Sequence, residues 1–142
     1  MIKQISVFVE NKKGRLARIT DVLGQAGIDL IALSIADTTN FGIMRCIVSD
    51  PDKTIQLLRS NGFTASTTEV IVAEVPDKPG GLASVLKTLD DAGISVEYLY
   101  SFVHTHGQNA MILFRVEEVA SAIKVLGESG IKLLSEEDVY KA

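Results

Sequence analysis

Asp77-Lys78-Pro79-Gly80-Gly81-Leu82-Ala83 decides how the chain is read, because Asn11-Lys12-Lys13-Gly14-Arg15-Leu16-Ala17 precedes it by sixty-six positions. At that offset residues 11–30 fall on 77–96, and eight of the twenty pairs are identical. Leu23 meets Leu89, and Ala26-Gly27-Ile28 meets Ala92-Gly93-Ile94. Further on, Met44 aligns with Met111 one residue out of step, and Ile55, Leu58 and Gly62 with Ile123, Leu126 and Gly130 two out of step. Small drifts of this kind are what loop-length variation produces. The chain reads as two copies of one unit of about 68 residues, residues 1–68 and 69–142, a self-similarity to be recognised before any local assignment.

Each copy carries the same order of periodicities. Ile5, Val7 and Val9 alternate with Gln4, Ser6 and Phe8, as Ile71, Ala73 and Val75 do in the second copy, which is the period of a strand. Leu16, Ile19, Leu23 and Ala26 then fall on one helical face, as do Leu82, Val85, Leu89 and Ala92. Gly27 and Gly93 stand where a helix end favours a left-handed residue. Apolar segments at 28–36 and 42–49, and at 94–103 and 109–116, flank turn-forming residues and predict hairpins. A second helix is expected from Asp50-Pro51 to Asn61-Gly62, and from about Glu117 to Ser129-Gly130. A short last strand follows from Phe63 and from Ile131. Strand, helix, strand, strand, helix, strand in each copy implies an α+β fold, two tandem βαββαβ modules of ferredoxin-like type. Each copy alone is marginal in size, so the two are expected to pack together.

Composition narrows the functions. Fourteen Lys and Arg against eighteen Asp and Glu leave a net charge of −4. Such a chain has little electrostatic reason to bind nucleic acid, since that binding rests on Lys and Arg displacing counterions from phosphates. No apolar run is long enough to span a membrane and no signal peptide is visible, so a cytoplasmic protein is expected. Cys46 is the single cysteine, which excludes an intramolecular disulfide and any multi-cysteine metal site. It stands in an apolar strand and reads as a small core residue without the basic partner a nucleophile needs. No nucleophile–base pair, phosphate loop or Gly-x-Gly-x-x-Gly motif is present, and no cofactor is expected.

The loops at 11–16 and 77–82 are the strongest local feature. Both lead into a helix N-terminus, whose first N–H groups lack intrahelical partners and whose dipole favours anions. Gly14, Gly80 and Gly81 are expected to let a ligand approach the backbone. The alternative is that Asn11 and Asp77 only cap turns. His104 and His106 alternate along a strand end, a spacing that suits a metal or an ordinary hairpin tip. Tyr98, Tyr100 and Phe102 share a strand face, their counterparts in the other copy are the small residues Ala32, Ser34 and Ala36, and they read as core or as a homodimer surface. Lys12-Lys13 and Glu136-Glu137-Asp138 read as solvated charge.

The (Asn/Asp)-x-x-Gly-x-Leu loops, with Gly-Ile thirteen residues after the loop glycine and the βαββαβ order, resemble the ACT domain across the whole chain. That resemblance implies two modules side by side, sheets joined across second-strand edges and helices on one face. It implies a non-catalytic sensor that binds a free amino acid between modules and regulates amino-acid metabolism through a partner enzyme in trans. Carried over by position, the ligand-binding candidates are Asn11, Lys12, Gly14, Arg15 and Leu16, facing Ser95, Val96 and Glu97. The pseudo-symmetric set is Asp77, Lys78, Gly80, Gly81 and Leu82, facing Asp29, Leu30 and Ile31. The two sites are not expected to be equivalent, since Arg15 becomes Gly81 and Lys13 becomes Pro79. A ligand-free subunit docking on a metabolic enzyme, or a small enzyme on a ferredoxin-like scaffold, are the alternatives.

Overall fold

The alternating residues at the start of the chain form β1 (Ile2–Glu10), and the first helical face forms α1 (Arg15–Gln25). β2 (Leu30–Asp37) and β3 (Phe41–Val48) are the first hairpin, α2 (Pro51–Ser60) follows, and β4 (Thr64–Pro76) continues for thirteen residues. The second copy contributes α3 (Gly81–Asp91), β5 (Val96–His106), β6 (Asn109–Val116) and α4 (Val119–Glu128). A short α5 (Glu136–Tyr140) ends the chain's regular structure. This computed structural model describes residues 2–10, 12–37 and 40–140, without the side chains of residues 37 and 104–106. His104 and His106 as metal ligands therefore lie outside the described side chains, as Asn11 lies outside the described residues.

The chain divides into two units, Lys3–Thr68 and Glu69–Ala142 together with Met1–Ile2. In the N-terminal unit the strands run in the order β2-β3-β1-β4, with Val7 opposite Met44 and Ile35 opposite Met44 from the other side. One face of this sheet packs on α1 and α2 through Ile5, Val7, Ile19, Leu23, Met44, Cys46 and Leu58. Each such side chain contributes about 1.5–3 kcal/mol on burial. Asp50 caps α2 by accepting from the Lys53 N–H at 3.2 Å, and Pro51 occupies the first helical position. Arg59 reaches back from the end of α2 and donates twice to the Ala65 carbonyl, at 3.1 and 3.0 Å, which fixes the path into β4.

In the C-terminal unit the order is β4-β6-β5, and Ile71, Ala73, Val75, Val85, Leu89, Phe114 and Leu126 form the equivalent core. The expected last strand from Ile131 is reduced to a bridge between Ala73 and Leu133, supported by hydrogen bonds from Glu74 N–H to the Lys132 carbonyl and from Leu134 N–H to the Val72 carbonyl. Glu136-Glu137-Asp138 belong to α5 and are not simply solvated charge. Ser135 Oγ accepts from the Asp138 N–H, while the Asp138 carboxylate accepts from Ser135, a reciprocal cap, and Val139 beneath it is fully buried.

Two further expectations are revised. The strand from Phe63 and the one through Ile71–Val75 are a single element, β4, because Ala65-Ser66-Thr67-Thr68-Glu69-Val70 contains no glycine or proline to interrupt it. The pairing of Met44 with Met111 is also displaced. Met44 lies opposite Val7, and the residue opposite Ala73, sixty-six after Val7, is Ile112. Both extra residues therefore sit in the β5–β6 hairpin, since a one-residue slip in β6 would turn its whole core set to the wrong face. Among the described residues no helix is long and apolar enough to cross a membrane.

Candidate ligand-binding site

Both units begin their first helix in the same way. Gly14 and Gly80 are the N-caps of α1 and α3, with φ of 86° and 85°, and neither helix has a side-chain cap or an acidic residue in its first turn. The backbone bonds match as well: Lys12 N–H to the Glu10 carbonyl and Arg15 N–H to the Lys12 carbonyl, repeated as Lys78 to Pro76 and Gly81 to Lys78. The glycines at these positions also answer to the backbone itself. A Cβ on Gly14 or Gly80 would meet no protein atom within 4 Å, so within the fold it is the left-handed backbone that calls for glycine there. At Gly81 a Cβ would lie 2.0 Å from the Pro76 carbonyl oxygen, so this glycine permits the close approach of α3 to the end of β4.

The second-strand candidates also divide. Asp29 exchanges both of its backbone groups with Ser49: its N–H donates to Ser49 Oγ and its carbonyl accepts from the Ser49 N–H, each at 3.1 Å. The ladder then skips a residue in both units, Ile31 between the Leu30–Val48 and Ala32–Ile47 pairs, and Glu97 between Val96–Val116 and Tyr98–Arg115. Such bulges leave the extra residue out of the ladder; Ile31 is buried and Glu97 exposed. The Glu97 carboxylate is paired with Arg115 at 3.2 Å, and Arg115 also donates to the Val116 carbonyl. Ser95 is exposed just before β5, and β2 and β5 are each the outer strand of their own unit's sheet. Leu16 is exposed on α1, whereas Leu82 packs against the core of its unit. Tyr98 and Tyr100 are half-buried and Phe102 is buried, while Leu99, between the tyrosines, packs on the helix side.

Lys12 is drawn back onto Glu10 at 3.0 Å, and this hydrogen bond holds the Glu10 carboxyl below the usual carboxylate range. Lys78, its counterpart, follows Pro76 in place of a glutamate and lines a cleft of about 530 Å³. Pro76, Lys78, Pro79, Gly81, Ser84 and Val85 line that cleft, with Gly81 and Val85 buried. Glu74, Asn109 and Lys132 also line it, and the Glu74 carboxylate accepts from Asn109 Nδ2 at 3.2 Å and pairs with Lys132 Nζ at 3.4 Å. A second hollow of about 470 Å³ adjoins it, sharing Pro76, Lys78 and Asn109 and adding Asp77 and Gln108.

The corresponding place in the N-terminal unit has a volume of only about 70 Å³. Arg15 stands there for Gly81, Phe63 for Ile131, and Phe8 for Glu74. Arg18, the counterpart of Ser84, lies over the Phe63 ring at 5.8 Å, and Phe8 stacks on Phe41, the counterpart of Asn109, with centroids 4.5 Å apart. Glu74, Ser84, Asn109 and Lys132 were not reached from the sequence. The signal lay in the repeat itself, where Phe8 becomes glutamate and Thr64 becomes lysine together.

Among the described residues no three His, Cys, Asp or Glu side chains are grouped to hold a metal, and Cys46 is buried with its thiol pushed up to about 12 by that burial. What the loops, bulged strands and cleft provide is backbone dipole and a few paired charges on a duplicated βαββαβ scaffold, the architecture of a regulatory module.

Similarity to known proteins agrees with that class. The chain belongs to the ACT domain pair family, whose model matches residues 1–142, and ACT pairs are regulatory modules. A crystal structure of a protein from Bacteroides thetaiotaomicron is 42% identical, with 99% of this chain and 96% of that chain covered and a TM-score of 0.93. The ligand-free regulatory subunit of aspartate kinase from Thermus thermophilus has the same fold at 14% identity, with 89% and 91% covered and a TM-score of 0.66. A structure of aspartokinase alpha and beta subunits is similar at 17% identity, 89% and 90% covered, with a TM-score of 0.62. No curated protein matches the sequence.

Proposed function

We propose that this ACT pair is a non-catalytic sensor of a free amino acid in the cytoplasm, acting as a homodimer on a metabolic enzyme in trans. The ligand binds where the loop of one ACT module meets the start of a second strand of another. Its carboxylate takes the unpaired N–H groups at a helix start, and its ammonium takes the carbonyl of a bulged strand at Ile31 or Glu97. The observation that carries this reading is the helix start built twice with one backbone geometry and left uncapped both times. Glycine at the N-cap costs only a few tenths of a kcal/mol against a capping side chain, so both helices start with their first N–H groups open to a ligand at little loss of stability. The regulatory subunit of an aspartate kinase, which shares the fold, supports action through a partner enzyme. An amino acid switches the protein only to the extent that it binds one state better than the other.

Thermal unfolding in the presence of each of the twenty amino acids tests the reading. At 100 times Kd, one or a few of them should add about 2.7 kcal/mol of stability, and a sensor tuned to cellular levels should have Kd of roughly 10 µM to 1 mM. No response from any amino acid would leave the docking subunit as the better description, and turnover of one would make the chain an enzyme.

A further inference from the structure

We propose that two copies of this chain join through unlike helix faces, the start of α1 on one copy seating against α4 and the hollow beside it on the other. This rests on the homodimer reading above and gives it a surface. α2 and α4 are the same helix in the two units, with Ile55 matched to Ile123. The outer face of α2 carries Asp52, Lys53, Gln56 and Arg59, all exposed, as a solvated helix should. On α4 the exposed residues at three of those places are Ala120, Ser121 and Gly127. Ile123 is 45% exposed, whereas Ile55 packs on the core of its unit. A hollow of about 250 Å³ adjoins it, lined by Ile123, Val70, Val72 and Leu133 together with Glu69 and Glu136. An apolar surface with carboxylates about it fits an aliphatic side chain with cations close by.

The chain itself supplies that partner. Leu16 at the start of α1 is 40% exposed, although its counterpart Leu82 packs on the core of the C-terminal unit. Lys12, Lys13 and Arg18 are exposed within four residues of it. The charge of the two units divides in the same sense. Residues 3–68 hold eight Lys and Arg against six Asp and Glu, and residues 69–142 hold six against twelve. Contacts between like units would set acid against acid or base against base, whereas the unlike contact is attractive. Glu117 and Glu118 lead into α4 directly after Val116, which pairs with Val96 at the start of β5. α4 therefore begins at the end of the sheet where the sensor reading places its ligand. Two such contacts, α1 on the partner's α4 and the reverse, close a twofold dimer.

Sedimentation velocity of the full chain tests this surface. The native chain should be a dimer that weakens as salt is raised. Leu16→Glu and Ile123→Glu should each weaken it by roughly tenfold or more. Leu16→Gln and Ile123→Gln repeat the comparison without added charge, and circular dichroism checks that all four variants keep the native fold. Mixing the two glutamate variants is the decisive arm. Each variant alone has a glutamate in both contacts, whereas the mixed dimer has both glutamates in one contact and leaves the other whole. The equimolar mixture should therefore associate more tightly than either variant alone. A dimer that no substitution weakens would overturn this proposal and leave the homodimer to another face, such as the exposed Leu33 and Ile35 of β2. Variants that weaken the dimer but gain nothing on mixing would also overturn it, since like faces would then be in contact. A monomeric native chain would overturn both this proposal and the homodimer reading.

Discussion

Beside α1 the space between first strand and helix is closed by Arg15, Phe8 and an Arg18–Phe63 stack, while beside α3 the same space is open and lined by Gly81, Glu74 and Lys132. The two units otherwise share strand order, core positions and the glycine-capped helix. A duplicated scaffold can therefore lose or keep a cavity by changing four or five side chains at its edge, without touching the residues that hold it together. The difference also bears on the idea of two equivalent sites. The loops are alike in backbone, but only the C-terminal one has an open space behind it.

The largest effect should come from disturbing Gly81. Gly81→Ala places a Cβ against the Pro76 carbonyl, and overpacking of this kind costs about 1–3 kcal/mol. The reverse change in the other unit, Arg15→Gly, should cost about 0.5–1 kcal/mol, the entropic penalty of glycine in a helix. Urea unfolding of the two variants checks both numbers, and equal losses would show that α1 and α3 do not begin differently.

Next in size is the second helix of each unit. Asp50 caps α2, whereas Glu118 stands at the N-cap of α4 with no side-chain hydrogen bond. Asp50→Ala should lose about 1 kcal/mol, and Glu118→Asp should gain a few tenths to about 1 kcal/mol by supplying the missing cap. Melting curves of the single variants decide it.

The smallest effect concerns Cys46, whose counterpart in the C-terminal unit is Phe114. Burial raises the folded thiol to about 12, so its contribution is complete below the unfolded value near 9 and is lost as pH climbs from there towards 12. Between pH 8 and pH 9 the loss is about 0.4 kcal/mol relative to Cys46→Ala. Chemical unfolding of the two proteins at both pH values reads the difference, and parallel behaviour would mean that the thiol is not shielded. Alkylation of native Cys46 should be slow and should follow unfolding.

Much of this architecture was legible in advance. The repeat, the helix stops at Gly27 and Gly93, and the Asp50-Pro51 start depend on neighbours in sequence, and the left-handed angles at those glycines and the Asp50 cap follow from residue type. β4 was read as two strands because the repeat sets a boundary between residues 68 and 69, whereas the strand runs on through residues 65–70 without a break. The short α5 was hidden behind its charges, although Ser135-x-x-Asp138 carried the cap. Of the binding candidates, the loop residues were visible as a doubled motif. The bulges at Ile31 and Glu97 were not, since a bulge is a property of two strands in register.

Composition and periodicity alone determined that the chain is a duplicated α+β protein with a glycine-capped helix in each half, because alternation, helical faces and turn residues act over a few neighbouring positions. Only the tertiary structure decided that one half has a cleft and the other does not. Residues 74, 81, 109 and 132 meet through strand pairing and helix packing, and whether the space among them is filled depends on the volumes and charges of side chains far apart in the chain.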